Sequence, residues 1–325
     1  MNTEVTEMKR AIFITAMVII AAQLVAAQAA QQSAAPTQNT KARQDEDDTI
    51  TIDAALVNTH VSVRDSRGHS VSGLTKDDFT VLDEGKQQPI IYFSQESNQP
   101  LRLALVVDRS RSVEKALALA QIAARNFFSS LLRPGKDRAC VVAFDSGAYL
   151  AQDFTDDANV LANTVSGLTA AGGTSLFDAI YKTSRDKLSG TDEARRVILL
   201  ITDGDDTTSR ATISQAVEMA LKNNVTIYAL RLPDENSLNV RDLRGRPVLD
   251  RLTEATGGRQ IHFDGDKSRL AEFFAGLESE MRSQYSIAYQ FQSGSSARSF
   301  HRIAIKVKGP NLKAFTRSGY YSGAE

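Results

Sequence analysis

Residues 101–112 read LRLALVVDRSRS. Seven residues dominated by Leu, Ala and Val, with no polar alternation, predict a strand buried on both faces, as in a parallel sheet covered by helices. The run closes on Asp108, Ser110 and Ser112, where the chain must turn into a helix. Alternation along such a loop lets one carboxylate and two hydroxyls face the same side. That donor set suits a small hard cation, which takes oxygen ligands.

Two further stretches can complete the shell. GGTSLFDAI at 172–180 places Thr174 on a glycine-hinged loop before a helix, and VILLITDGDD at 197–206 places Asp203 at the end of a second all-apolar strand. Asp108, Ser110, Ser112, Thr174 and Asp203 then make one oxygen cage. Taken singly, a Ser or Thr before a helix reads as an N-cap, and an Asp before Gly reads as a turn residue. Five such residues at loop ends favour the metal reading. Nearby Asp178, Asp205 and Asp206 read as solvated or capping.

DxSxS, the GGTS threonine and an apolar strand running into TDG, in that order, resemble the von Willebrand factor A (VWFA) domain and its metal-ion-dependent adhesion site (MIDAS). The resemblance extends over roughly residues 100–283, and the surroundings resemble the secreted bacterial VWFA-related proteins of the acidobacterial type. It implies a Rossmann-like α/β domain, a divalent cation and no enzyme activity. Mg2+ is the first expectation for the ion, with Mn2+ and Ca2+ as alternatives. It also implies a partner protein that supplies an Asp or Glu carboxylate. In the family the hydroxyls usually bind directly and one or both aspartates act through water, and the sequence leaves that assignment open.

Two globular units fit the length of 325 residues with 42% hydrophobic content. Lys and Arg number 38 against 39 Asp and Glu, a net charge of -1 that gives no electrostatic case for nucleic acid. Lys9 and Arg10 precede an apolar run from Ala11 to Ala22, followed by small residues at Val25, Ala27 and Ala29, so residues 1–27 read as a signal peptide. Export to the periplasm, the cell surface or the medium follows. An uncleaved membrane anchor is the competing reading, but the run is short for a spanning helix. The single cysteine, Cys140, lies in an apolar run and reads as a small buried hydrophobe. Residues 28–48 are rich in Ala, Gln, Ser and Thr and end in four acids, the composition of a flexible linker.

Residues 49–99 and 284–325 read as short strands with one buried face. Ile50, Ile52 and Ala54 alternate, Val61 and Val63 follow after a break, and DSRG at 65–68 has turn composition. Tyr285, Ile287, Tyr289 and Phe291 alternate strictly, as do Ile303, Ile305 and Val307, before a last strand at 312–315. About fifty residues of this kind make a poor core alone. The two ends are therefore expected to join in one small β-sandwich, with the α/β domain of residues 100–283 inserted between them. Within that domain the polar excursion from Pro233 to Pro247 reads as a variable surface loop.

An enzyme is the rival class. A strand-end Asp108 and the acids at 203–206 superficially match a haloacid-dehalogenase-like phosphatase, but the second acid such enzymes need two residues on is here Ser110. There is no G-x-S-x-G, no phosphate loop and no HExxH, and His60, His69, His262 and His301 are scattered. A third class is a structural envelope module whose metal only steadies loops.

Overall fold

The computed structural model describes residues 54–95, 98–190, 193–232, 242–263, 266–292 and 300–322. The signal-peptide and linker expectations for residues 1–48, and the strand residues Ile50 and Ile52, lie outside them.

In chain order the first elements are β1 (Ala54–Arg64), β2 (Phe79–Asp83), β3 (Lys86–Gln88) and β4 (Ile90–Ser94). The α/β segment follows: β5 (Leu101–Asp108), α1 (Glu114–Leu131), β6 (Arg138–Phe144), β7 (Ala148–Thr155), α2 (Ala158–Ser166), α3 (Leu176–Asp186), β8 (Arg195–Thr202), α4 (Ile213–Lys222), β9 (Val225–Arg231), α5 (Asp242–Thr256), β10 (Gln260–His262) and α6 (Lys267–Ser283). The chain closes with β11 (Tyr285–Gln292), β12 (Phe300–Val307), β13 (Lys313–Phe315) and β14 (Gly319–Tyr321).

Six strands form the central sheet in the order β10-β9-β8-β5-β6-β7, all parallel except the β6–β7 pair. The short Asp145-Ser146-Gly147 link forces that hairpin, since a parallel return needs a crossover of a dozen or more residues. Burial on both faces follows from the sequence of β5. Leu103, Leu105 and Val107 share a core with Phe127 and Phe128 of α1 and Phe273, Phe274 and Leu277 of α6. Ala104 and Val106 face the opposite layer, with Leu176 and Ile180 of α3 and Ala216 and Ala220 of α4. Helices therefore cover both faces, the doubly wound arrangement expected from the alternating elements.

The remaining strands form two antiparallel sheets, β13-β1-β11-β4 and β14-β12-β2-β3. Each mixes strands from both ends of the chain. Val57, Val61 and Val63 of β1, Val81 of β2, Tyr285 and Ile287 of β11 and Ile303 and Ile305 of β12 share one apolar core, so the sheets face each other as a β-sandwich. The break expected before Val61 is absent: β1 runs unbroken and pairs with β11 from Ala54 to Val61. Its middle residues Asn58 and His60 are polar because they face the α/β segment rather than the sandwich core. Of the expected excursion, residues 233–241 lie outside the described residues, and the stretch from Asp242 to Pro247 forms the start of α5 rather than a loop. Pro247 sits inside that helix, while Leu249 and Leu252 are buried beneath it.

Asp137 fastens three parts of the α/β core. It accepts hydrogen bonds from the backbone N–H of Leu101 at 2.9 Å, from Arg133 Nε at 2.9 Å and from Arg282 of α6 at 2.6 Å. Burial alone would raise its pKa, but the bonds from Arg133 and Arg282 outweigh burial and hold the carboxyl well below the usual range. A depressed folded pKa contributes stability that is present above the unfolded value and lost as pH falls below it. Asp137→Asn should therefore lower stability at neutral pH and weaken its loss on acidification below about pH 4. Urea unfolding across pH 2–7 checks this; parallel curves for the two proteins would contradict it.

Candidate functional site

β5 lies between β6 and β8 in the sheet, and the windings on its two sides run in opposite directions. Such a switch point opens a crevice beyond the carboxyl ends of the strands. Asp108 ends β5 and Thr202 ends β8, with Asp203 following, so the two aspartates flank this point.

Asp108 is fully buried. Its Oδ1 accepts from the Ser110 backbone N–H at 2.8 Å, and its Oδ2 accepts from Thr202 Oγ1 at 2.6 Å. These bonds fix the carboxylate by its own loop and by the neighbouring strand. Ser110 Oγ and Ser112 Oγ stand 3.0 Å apart, so alternation does put both hydroxyls on one side. The backbone N–H of Asp205 donates to Asp203 Oδ1 at 3.0 Å, while Asp203 Oδ2 is buried with no hydrogen-bond partner among the described residues.

Thr174 is buried and reaches the same rim through hydrogen bonds from one loop to the next. Its backbone N–H donates to Thr207 Oγ1 at 3.0 Å, and its carbonyl accepts from the Thr207 and Thr208 backbone N–H groups at 2.8 and 3.0 Å. The Ala171 N–H donates to the Arg109 carbonyl at 2.6 Å, and the Ser175 N–H to that of Asp145 at 2.6 Å. The three motif loops are thus bonded directly to one another. Glycine is required where the TDG turn meets α5. Gly204 has φ +90°, and a Cβ there would lie 2.7 Å from the Gly245 carbonyl oxygen.

Electrostatics distinguish this place from a set of helix caps. Burial pushes the Asp108 carboxyl up to about 7, and the nearby Asp203 charge adds to the rise against the bonds from Thr202 and Ser110. A buried carboxylate thus stands near a second one whose Oδ2 has no hydrogen-bond partner among the described residues, an arrangement that a cation would relieve. No three His, Cys, Asp or Glu side chains gather as a metal-binding group among the described residues. An ion held here must therefore draw on hydroxyl oxygens as well as the two carboxylates, and the donor set fits a hard divalent cation.

Thr202, which orients Asp108, is a residue that sequence reading missed; its only signal is its place before the Asp of TDG. Arg109 carries no signal of its role in the sequence either. Its side chain pairs with Asp145 at 3.1 Å and donates to the Tyr149 hydroxyl at 2.7 Å, fastening the loop after β5 to the edge hairpin. The three neighbouring acids have other placements. Asp178 accepts from the N–H groups of Arg210 and Ala211 at 3.2 and 2.8 Å, Asp206 accepts from the Phe177 N–H at 3.3 Å, and Asp205 supplies its N–H to Asp203.

Residues 103–205 match the family model of the von Willebrand factor type A domain. The α/β segment has the VWFA fold. Among solved structures, BatB from Bacteroides thetaiotaomicron is 17% identical, with 56% of this chain and 98% of that one covered and a TM-score of 0.45. A von Willebrand factor type A protein from Catenulispora acidiphila is 14% identical, with 83% and 74% covered and a TM-score of 0.48. Proximal thread matrix protein 1 from the mussel byssus, solved with a zinc-occupied MIDAS motif, is 14% identical, with 62% and 50% covered and a TM-score of 0.49. No curated protein matches the chain. Among the described residues no helix is long and apolar enough to cross a membrane.

Proposed function

We propose that the protein is an exported, metal-dependent protein-binding module, of the adhesion or scaffold kind. In this reading Asp108, Ser110, Ser112, Thr174 and Asp203 hold a divalent cation that accepts a carboxylate from a partner protein. The observation that carries the reading is the meeting of two aspartates and three hydroxyl residues on mutually bonded loops, with Asp108 fully buried and Asp203 Oδ2 unsatisfied.

Each residue has a definite task. Asp108 supplies negative charge in an orientation set by Thr202 and Ser110, and Asp203 supplies the second charge. Ser110, Ser112 and Thr174 add neutral oxygens. Two carboxylates balance a divalent charge without exceeding it, so the set does not repel a third, incoming carboxylate. When bound, the cation supplies a Lewis-acidic position for that anionic oxygen. Mg2+ is the favoured ion, with Mn2+ and Ca2+ as alternatives. Export rests on the leader-like residues 1–27, and kinship with the secreted acidobacterial-type VWFA-related proteins is part of the same proposal. A non-catalytic role is favoured because Ser110 stands where a strand-end aspartyl nucleophile would need its proton donor.

Immobilised protein lacking residues 1–27 should capture its partner from an envelope extract in magnesium, release it in EDTA and recapture it when manganese is added. The Asp108→Ala variant should capture nothing under any of these conditions. Capture that ignores EDTA would sink the reading.

A further inference from the structure

At the opposite ends of the parallel strands, an open cavity of about 530 Å3 lies between the α/β sheet and the β-sandwich. Asn58 and His60 of β1 and Ser286 of β11 line one side; Arg196 of β8 and Thr226 of β9 line the other. Arg317 completes the lining from the turn before β14.

Arg317 is held in place rather than free to swing out to water. Thr316 Oγ1 shares a 2.8 Å hydrogen bond with Thr59 Oγ1 and donates to the His60 carbonyl at 2.9 Å, and the Ser318 N–H donates to the Ala255 carbonyl at 2.8 Å. Gly257 lets this strap press against the end of α5, since a Cβ there would lie 2.6 Å from the Thr316 carbonyl carbon. Among the described residues the hydrogen-bond partners of the guanidinium are all neutral. Nη2 donates to the Asn58 carbonyl at 2.7 Å, Nη1 donates to Asn224 Oδ1, and Nε is buried with no partner among the described residues. Burial pushes the Arg317 pKa down to about 10. His60 is pushed down to about 3 by burial and then by the charges of Arg195, Arg317 and Arg196. The lining includes one carboxylate among the described residues, Glu193, and its side chain is exposed.

Arg317 is half-buried, with a buried Nε that has no partner among the described residues and no carboxylate bonded to its guanidinium, and its planar fork matches the oxygens of phosphate or carboxylate. We infer that this cavity binds a small molecule bearing an oxyanion group, with Arg317 as the principal anchor and Arg196, Thr226 and Ser286 beside it. The site lies at the other end of the strands from Asp108 and does not depend on the metal reading.

The test uses the protein without residues 1–27 and two probes, inorganic phosphate and citrate, against chloride at matched ionic strength. The imidazole NMR signals of His60, assigned by their loss in His60→Gln, should shift saturably with at least one probe, and the melting temperature should rise with it. Phosphate or citrate, whichever saturates the shift at the lower concentration, identifies the preferred oxyanion. Arg317→Gln should weaken that binding at least about tenfold, and Arg317→Lys should restore part of it. Asp108→Ala should leave it unchanged, which separates this site from the metal rim. Should Arg317→Gln fail to fold, the His60 titration in the wild type decides alone. Absence of any saturable His60 shift with either probe, or equal affinity in wild type and Arg317→Gln, would overturn the inference.

Discussion

Asp108→Ala is expected to abolish the rise in melting temperature that magnesium or manganese gives the wild type, while preserving the fold. A ligand that binds only the folded state stabilises it by about 2.7 kcal/mol at a hundred times its Kd, worth roughly 2–4 °C per kcal/mol in a chain of this class. The substitution removes a full charge from beside the ion. Ser112→Ala removes one neutral oxygen and should retain part of the rise. Without metal, the variant loses the bonds from Thr202 and Ser110 but also sheds a buried carboxyl that burial pushes up to about 7. These effects oppose, so the metal-free melting temperatures should lie closer together than the metal-bound ones. Differential scanning calorimetry of the three proteins with and without metal measures these values, and an equal rise in wild type and Asp108→Ala would refute the assignment of Asp108.

The larger loss of stability is expected far from the rim, at Glu280→Ala. Glu280 lies near the end of α6 with a side chain 1% exposed, and it joins the sandwich to the α/β core. It accepts from Arg64 of β1 at 2.5 Å, from Arg259 at 3.0 Å and from the Tyr228 hydroxyl of β9 at 3.0 Å. Arg64 is itself nearly buried and stacks 4.0 Å over the Phe315 ring. Removing the carboxylate leaves two guanidinium groups without their shared counter-charge, a change worth about 3–5 kcal/mol when one partner of a buried pair is deleted. Because Glu280 ties β1 to α6, the variant should also separate the unfolding of the sandwich from that of the α/β segment. Urea unfolding followed by tyrosine fluorescence and by circular dichroism should give one transition in wild type and two in the variant. A loss below about 1 kcal/mol, the scale of an exposed ion pair, would contradict this account of the joint.

Much of this was legible because burial writes itself into composition. β5 and β8 could be read as all-apolar runs, since both faces of the central sheet are covered, and β11 could be read from its period of two, since only one face meets the sandwich core. The meeting of Asp108, Ser110 and Ser112 followed from alternation along a short loop. Other features resist such reading. Nothing local to Thr174 names Thr207 and Thr208 as its anchors, because those bonds join loops far apart in the chain. α5 was hidden by Pro247 and a polar beginning, and its helical face shows only in Leu249 and Leu252. In sequence β1 reads as two pieces because Asn58 and His60 interrupt its apolar pattern. Those residues line the cavity against the α/β segment, a tertiary relation without a one-strand signature. Arg317, which looks like an ordinary surface arginine in sequence, owes its place to the strap pinned by Thr59, His60 and Ala255.

The central claim is that the five rim residues hold a divalent cation, and isothermal titration calorimetry of magnesium and manganese into the protein lacking residues 1–27 tests it most directly. The account predicts saturable binding near one ion per chain in the wild type, lost in Asp108→Ala and weakened in Ser110→Ala. No binding of either ion at millimolar concentration, or identical binding by wild type and Asp108→Ala, would contradict it.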